Sequence, residues 1–304
     1  MSDWAIGFRR VGGRGFSPHA RRQVDRAKNM LTGAAAYGVL AFWAVFSLLP
    51  LVWLFSESSK PATQALSIPI NFIPSRFELF QNIAQVFQVM PFARYFANSL
   101  LIVLVLGTTD ILISSMAGYA LSKYRFPGRQ LVFLFILGTT MISFMVIIVP
   151  VYILVRNLGL LDSYLGIMAP GFVSAFGVFF MRQYISGIPN DYLDAARIDG
   201  ASELGAYWGV IMPMIRPAIV TLAVFRFMWE WDSMLWPMVV IGNPKLRTLP
   251  LGLALMTDQL GWAPDYSMTH VLAACFLAIL PVVIVFLILQ RQFMSAMTMS
   301  GLKF

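Results

Sequence analysis

The sequence predicts an all-α polytopic membrane protein with six spanning helices and one polar helix between the fourth and fifth spans. Of its 304 residues, 59% are hydrophobic and 12% are charged, whereas a soluble domain carries about 25% charged residues. The mean hydropathy is +0.74. The apolar residues fall into runs close to the roughly 20 residues that a helix needs to cross a bilayer. These observations exclude a soluble globular domain.

The N-terminal region divides into a basic tail and a first span. Residues 1–33 carry seven Lys or Arg residues and no apolar period, so we expect a basic tail there. The run from Ala34 to Phe55 has no charged residue and is longer than the 7 to 15 residues of a signal-peptide core. No A-x-A cleavage site follows it, so an uncleaved first span is predicted.

Residues 56–95 are more polar and rich in proline, which indicates a loop outside the membrane. Five further spans are predicted after it, at Phe96–Ser122, Leu131–Val155, Tyr164–Met181, Ala218–Val240 and Ser267–Leu289. The membrane domain then covers residues 34–291, and residues 292–304 form a C-terminal tail.

The distribution of basic residues predicts the orientation of these spans. Of the 22 Lys and Arg residues, 15 lie on the side of the two termini and 6 on the opposite side. The positive-inside rule places the first side in the cytoplasm, so a multi-pass protein with both termini in the cytoplasm is expected. The net charge of +8 is spread over loops rather than gathered on one face, which argues against a nucleic-acid partner.

The polar segment at residues 186–217 has a helical pattern. Spacings of three and four residues put five residues on one helical face, namely Leu193, Ala196, Gly200, Leu204 and Trp208. Asp191 and Asp194 lie at its start, where negative charge favours the positive end of a helix. Pro213 and Pro217 prevent a continuous helix into the next span. Small residues allow close approach of another surface at Ala195, Ala196, Gly200 and Ala201. The alternative is an amphipathic helix lying on the lipid headgroups.

Charged and aromatic residues in the fifth span form a candidate substrate pathway. Arg226 and Glu230 lie four residues apart and can meet on one helical face. Aromatic faces and hydrogen-bonding groups suit a saccharide, so Trp229, Trp231 and Asp232 join this set. The alternative is a self-neutralising Arg226 and Glu230 pair beside an interfacial tryptophan belt.

Asp110, in the second span, is interpreted as a lone carboxylate, either a proton site or a partner in a structural hydrogen bond to a neighbouring span. No Lys in the sequence is followed by Ser or Thr, so a P-loop is absent and any ATP must bind another chain. Cys275 is the single cysteine, and no metal cluster or catalytic constellation is predicted. No resident cofactor is expected.

The motif from Asp194 onwards resembles the cytoplasmic coupling loop of ABC importer permeases. Asp194, Ala195 and Ala196 are followed after three residues by Gly200, and after ten more by Ile211, Met212 and Pro213. Asp194 stands where Glu is usual. Further segments resemble the maltose-permease type of the carbohydrate branch, namely Asn98–Ser99, Ala117–Ser122, Phe126–Arg129 and Leu249–Leu253. Trp231–Asp232 stands where that branch has Trp-Asn, and Met297–Phe304 stands where it has a Gly-rich tail.

This resemblance implies the type I ABC importer permease fold in a bacterial inner membrane. It implies a sugar substrate and three kinds of partner: a second permease subunit, two ATPase subunits that bind ATP, and an extracytoplasmic solute-binding protein. The implied ATPase-coupling residues are Asp194, Ala195, Ala196, Asp199, Gly200, Ala201 and Pro213. Two alternatives remain at this stage. One is an ion-coupled secondary transporter using Asp110 or the Arg226 and Glu230 pair, and the other is a membrane-embedded enzyme, for which the sequence offers no paired catalytic groups.

Overall fold

The computed structural model describes residues 18–258 and 267–301, with side-chain surroundings for residues 33–257 and 267–290. These residues are mostly helical, and no β-strand occurs among them. The chain divides into two compact units, residues 1–54 and residues 55–304. The predicted all-α class is confirmed.

Three helices contain a stretch long and apolar enough to cross a membrane. They are α1 (Pro18–Ser58), α3 (Phe92–Lys123) and α14 (Met268–Gly301). They include the first, second and sixth predicted spans. Helix α1 starts within the predicted basic tail, and α14 continues through the predicted C-terminal tail to Gly301. The remainder of both tails lies outside the described residues.

The other predicted spans are broken into bent helix pairs. Helices α4 (Arg129–Thr139) and α5 (Phe144–Asn157) meet at 98°. The segment Tyr164–Gly171, which begins with α6 (Tyr164–Met168), meets α7 (Ala175–Ser186) at 43°. With a third bent pair, described next, the described residues hold three spans, or up to six if each pair counts as one.

The polar segment and the fifth span form the third bent pair. The polar segment contains α8 (Asp191–Ile198), α9 (Glu203–Ala206), a π-helical turn (Tyr207–Ile211) and α10 (Met212–Met214). Helix α11 (Arg216–Trp231) then leaves at 75° to the preceding segment. The predicted interruption near Pro213 and Pro217 is therefore present.

Three short helices were not expected from the sequence. They are α2 (Leu79–Val89), α12 (Leu235–Val240) and α13 (Leu249–Asp258). The prediction of one continuous span from Ala218 to Val240 is wrong, because α11 ends at Trp231 and α12 begins only at Leu235. Asp232 and Ser233 lie in this break, and both residue types favour breaks by competing for backbone hydrogen bonds.

Helix α3 contributes to all three of the larger hydrophobic clusters. Tyr95 lies in a cluster with residues of α2, α13 and α14, Leu106 in one with α5, α6 and α12, and Tyr119 in one with α7, α8 and α11. Leu106 is fully buried, and burial of such a side chain contributes about 1.5–3 kcal/mol. Helix α3 is therefore central to the packing of residues 55–257 and 267–290.

Helices α3 and α7 approach closely at Gly118. A Cβ atom added there would lie 2.8 Å from both the Cβ of Met181 and the backbone nitrogen of Arg182. Any side chain at this position would therefore push against the α7 backbone. The glycine fixes the spacing between α3 and α7.

Candidate functional site

Helix α8 ends in a glycine turn, so Gly200 does not lie inside a helix as the sequence interpretation assumed. Gly200 has φ of +82°, a left-handed conformation that glycine adopts without strain. The backbone nitrogen of Gly200 donates to the carbonyl of Arg197, and that of Ala201 donates to the carbonyl of Ala196. These two bonds form a Schellman motif, which satisfies the last carbonyls of the helix. Asp199 is its C-cap.

The predicted single helical face of the polar segment is also wrong beyond this turn. Leu193 is buried, but Leu204 and Trp208 are exposed. Tyr207 and Ile211 are buried in their place, because the turn at Gly200 restarts the chain in a new direction. Of the four small residues predicted to form an approach surface, Ala195, Gly200 and Ala201 are exposed and Ala196 is half-buried. Their role in docking stays a prediction.

Charged residues on this segment pair with one another. Arg197 contacts Asp194 and Glu203, each at 3.1 Å between nitrogen and oxygen. All three side chains are exposed, so water and salt screen both pairs and each contributes little to stability. The pair of Arg197 with Glu203 bridges the glycine turn between α8 and α9. Asp191 and Asp194 occupy the first turn of α8, as predicted.

The end of α3 contacts this segment on both sides of α8. The Lys123 ammonium donates to the carbonyl of Ile188 and, at 3.0 Å, to the side-chain oxygen of Asn190. The Tyr124 hydroxyl donates to the carboxylate of Glu203. Burial, together with this hydrogen bond, raises the pKa of Tyr124 well above its usual value. The phenol is therefore a neutral donor at physiological pH.

Within the described part of residues 55–304, one buried cluster joins three charged residues. The Arg226 guanidinium lies 3.3 Å from the Asp110 carboxylate and 3.1 Å from the Glu230 carboxylate. The predicted pairing of Arg226 with Glu230 is present. The interpretation of Asp110 as a lone carboxylate is wrong, because Arg226 is its partner. Asp110 is fully buried.

This cluster stabilises the break between α6 and α7. The Asp110 carboxylate accepts from the backbone nitrogen of Ser174 at 2.8 Å and from its hydroxyl at 2.9 Å. Arg226 donates to the carbonyl of Gly171 at 2.5 Å. A carboxylate at a helix start and a cation at a helix end both complement the helix dipole. Asp110 and Arg226 thus satisfy polar backbone that the break would otherwise leave unpaired.

The aromatic members of the predicted substrate pathway are not gathered around this cluster. The indole of Trp231 is buried against Phe96 and Phe227 and donates to the carbonyl of Ala278 at 3.1 Å. Trp229 is 74% exposed, and Asp232 is exposed in the break after α11. The predicted pathway residues are therefore separated: Arg226 and Glu230 form a buried ion pair, the indole of Trp231 is packed, and Trp229 and Asp232 are exposed.

A cavity of about 20 Å³ adjoins Glu230 and is also lined by Ser99, Ser233, Trp236 and Thr248. That volume accommodates roughly one water-sized group, so it is far too small for a saccharide. An open cleft of about 440 Å³ is lined by residues 125, 126 and 128–131, none of which belongs to the predicted pathway. Neither of these two cavities brings two of the predicted pathway residues together.

These features define a helical membrane protein with broken spans, a buried charge cluster and an exposed polar segment. Residues 110–298 match the family of binding-protein-dependent transport system inner membrane components. The chain belongs to this family. It is 35% identical over 265 residues to the arabinooligosaccharides transport system permease protein AraQ of Halalkalibacterium halodurans, covering 86% of this chain and 94% of AraQ.

Two further comparisons agree with this assignment. The chain is 31% identical over 270 residues to the lactose transport system permease protein LacG of Rhizobium radiobacter, covering 89% of this chain and 96% of LacG. A crystal structure of a bacterial ABC transporter involved in import of the acidic polysaccharide alginate contains a chain with a TM-score of 0.77 and 25% identity. The match covers 92% of this chain and all of that one. The rival interpretations as a secondary transporter or an enzyme do not fit this family.

The turn at Gly200 leads to a prediction for the coupling loop. We expect Gly200→Ala to weaken the turn by about 1–2 kcal/mol, because a Cβ disfavours positive φ although space is open. Hydrogen exchange of the Ala201 amide should then be at least about fivefold faster. Gly200→Asn should cost less, since Asn tolerates this conformation. Gly209→Ala is the matched control, because Gly209 has open space and no positive φ. Equal exchange in both alanine variants would contradict the prediction.

Proposed function

We propose that this chain is the permease subunit of an ATP-driven ABC importer for a saccharide, with its transport passage formed together with a second permease subunit. Two ATPase subunits bind and hydrolyse ATP, and an extracytoplasmic binding protein delivers the sugar. The observation that carries the proposal is the exposed segment from Asp191 to Gly205, which lies between broken spans in a chain of this family.

The surface of this segment supports docking of a protein partner. Ile198 is 87% exposed, and Tyr192, Leu204 and Trp208 are also exposed large apolar side chains. Exposed apolar groups surrounded by polar ones mark protein interaction sites on surfaces that face water. The small side chains Ala195 and Ala201 lie beside them, so a partner surface can approach the α8 backbone closely. Asp194, Ala196, Asp199, Gly200 and Pro213 shape this surface or its turns.

The basic residues support an orientation with this segment and both termini in the cytoplasm, where ATP is available. The substrate class is supported by the relatives, whose names refer to arabinooligosaccharides and lactose. Among the predicted pathway residues, Trp229 and Asp232 are exposed and available to a sugar or to the second permease. Arg226, Glu230 and Trp231 have structural partners.

Uptake by the reconstituted complex tests this function. The chain is purified with whichever subunits accompany it, reconstituted in liposomes and given labelled arabinotriose, lactose or an alginate trisaccharide with the binding protein. We expect uptake of at least one saccharide that requires ATP on the ATPase side and survives a protonophore. Liposomes lacking the ATPase subunits are the control. Uptake that persists without ATP and collapses with the protonophore would instead identify an ion-coupled transporter.

A further inference from the structure

Helix α3 holds the coupling segment, defined here as residues 188–214, at three points. Lys123 contacts Ile188 and Asn190 immediately before α8, and Tyr124 donates to Glu203 at the start of α9. The third point is Ser115, described next. The end of one helix therefore contacts both flanks of the exposed helix α8.

The contact at Ser115 is buried. The Ser115 and Tyr207 hydroxyls lie 2.7 Å apart, and both residues are at most 1% exposed. The rings of Tyr119 and Tyr207 also pack at 5.5 Å between centroids. Ser115 also donates to the carbonyl of Ile111, so separating the hydroxyls would leave the Tyr207 hydroxyl without its partner in the core, which costs about 1–3 kcal/mol. The π-helical turn that begins at Tyr207 is thus fixed to α3.

The same helix carries the buried charge cluster further along its length. Asp110 lies little more than one helical turn from Ser115, and it holds the start of α7 and the guanidinium of Arg226. Helix α3 therefore contacts both the coupling segment and the break between α6 and α7. A displacement of α8 must either move α3 or break these contacts.

We propose that α3 receives the movement of the coupling segment through Lys123, Tyr124 and Ser115, and that these three are positioning residues for transport. The proposal rests on the function proposed above and names the helix through which that function operates. The contact that can be tested most directly is that of the Tyr124 hydroxyl, because it donates from the end of α3 to the carboxylate of Glu203. Tyr124→Phe removes the hydroxyl but keeps the ring that packs at 5.4 Å on Tyr119.

The experiment measures uptake per ATP hydrolysed by the reconstituted complex with the saccharide that the wild type transports. We expect Tyr124→Phe to lower this ratio by about tenfold, within the range for losing a hydrogen bond to a charged group. The amount of complex and its ATPase content should not change. Tyr184→Phe is the matched control, since Tyr184 packs against the same cluster and its hydroxyl makes no hydrogen bond to another described residue.

A second variant separates coupling from folding. In a Glu203→Ala background the acceptor is already absent, so adding Tyr124→Phe should lower the ratio no further. An unchanged ratio in Tyr124→Phe, or an equal loss in the two backgrounds, would overturn the role of this contact while leaving the importer function intact. Absence of ATP-driven uptake by the wild-type complex would overturn both.

Discussion

Arg226→Met is expected to prevent accumulation of the folded protein, at a cost of about 3–5 kcal/mol. The change leaves Asp110, which is fully buried, and the largely buried Glu230 without their cation. It also removes the donor to the Gly171 carbonyl at the break before α7. The measurement is the yield and melting temperature of detergent-solubilised protein by size-exclusion chromatography.

A neutral triple variant tests whether the loss comes from unpaired charge. Combining Arg226→Met with Asp110→Asn and Glu230→Gln removes all three charges together, and replacing a buried ion cluster as a whole is often tolerated. We expect this variant to recover at least part of the yield. Arg156→Met is the control, because Arg156 is exposed and forms no ion pair with a described residue. Wild-type stability of Arg226→Met would refute the structural role of the cluster.

Glu230→Ala is expected to be a milder change than Arg226→Met, with a smaller loss of yield and of melting temperature. The sequence pattern alone pairs Arg226 with Glu230, which implies that loss of Glu230 leaves the buried Arg226 cation without a partner. Asp110 remains as a second partner for that cation, at 3.3 Å, so the guanidinium stays compensated. The spacing of residues within one helix predicts contacts along that helix, but it carries no information about a partner on another helix. The pairing of Arg226 with Asp110 depends on how α3 and α11 pack.

The end of α8 could have been predicted from the sequence. Gly200 follows the last turn of an apolar pattern, and a glycine at that point is a common helix C-terminus. Leu204 and Trp208 continued the periodicity and favoured a longer helix. Both side chains are exposed, so their spacing reflects no buried face. Periodicity therefore identified the segment, whereas backbone conformation at one glycine determined where its helix ends.

The existence of long spans was predicted, whereas of their breaks only the one near Pro213 and Pro217 was. Helix α3 agrees with its prediction within a few residues, because no proline interrupts its apolar run. The bend between α6 and α7 also lies in an apolar run, directly after Pro170 and Gly171. It exists because Asp110 and Arg226, from other helices, satisfy the backbone there. Helix α13 was missed because its apolar run is too short to span a bilayer.

Gly118→Ala is expected to destabilise the protein by about 3 kcal/mol, at the upper end of the range for an overpacked core. The new Cβ would lie 2.8 Å from the Cβ of Met181 and from the backbone nitrogen of Arg182. Because backbone atoms cannot rotate away, α3 and α7 must separate. That separation would also disturb the hydrogen bonds between Asp110 and Ser174 along the same helix pair.

Gly107→Ala on the same helix is the matched control for this effect. Gly107 has no atom within 4 Å of an added Cβ, so alanine should be neutral or stabilising by up to about 1 kcal/mol through helix propensity. The two variants therefore make the same chemical change in one helix with opposite expected signs. Melting temperatures of the two purified proteins, with uptake measured in parallel, check the prediction. If both alanine variants have the same melting temperature as the wild type, the close contact of α3 with α7 at Gly118 does not exist in the membrane-embedded protein.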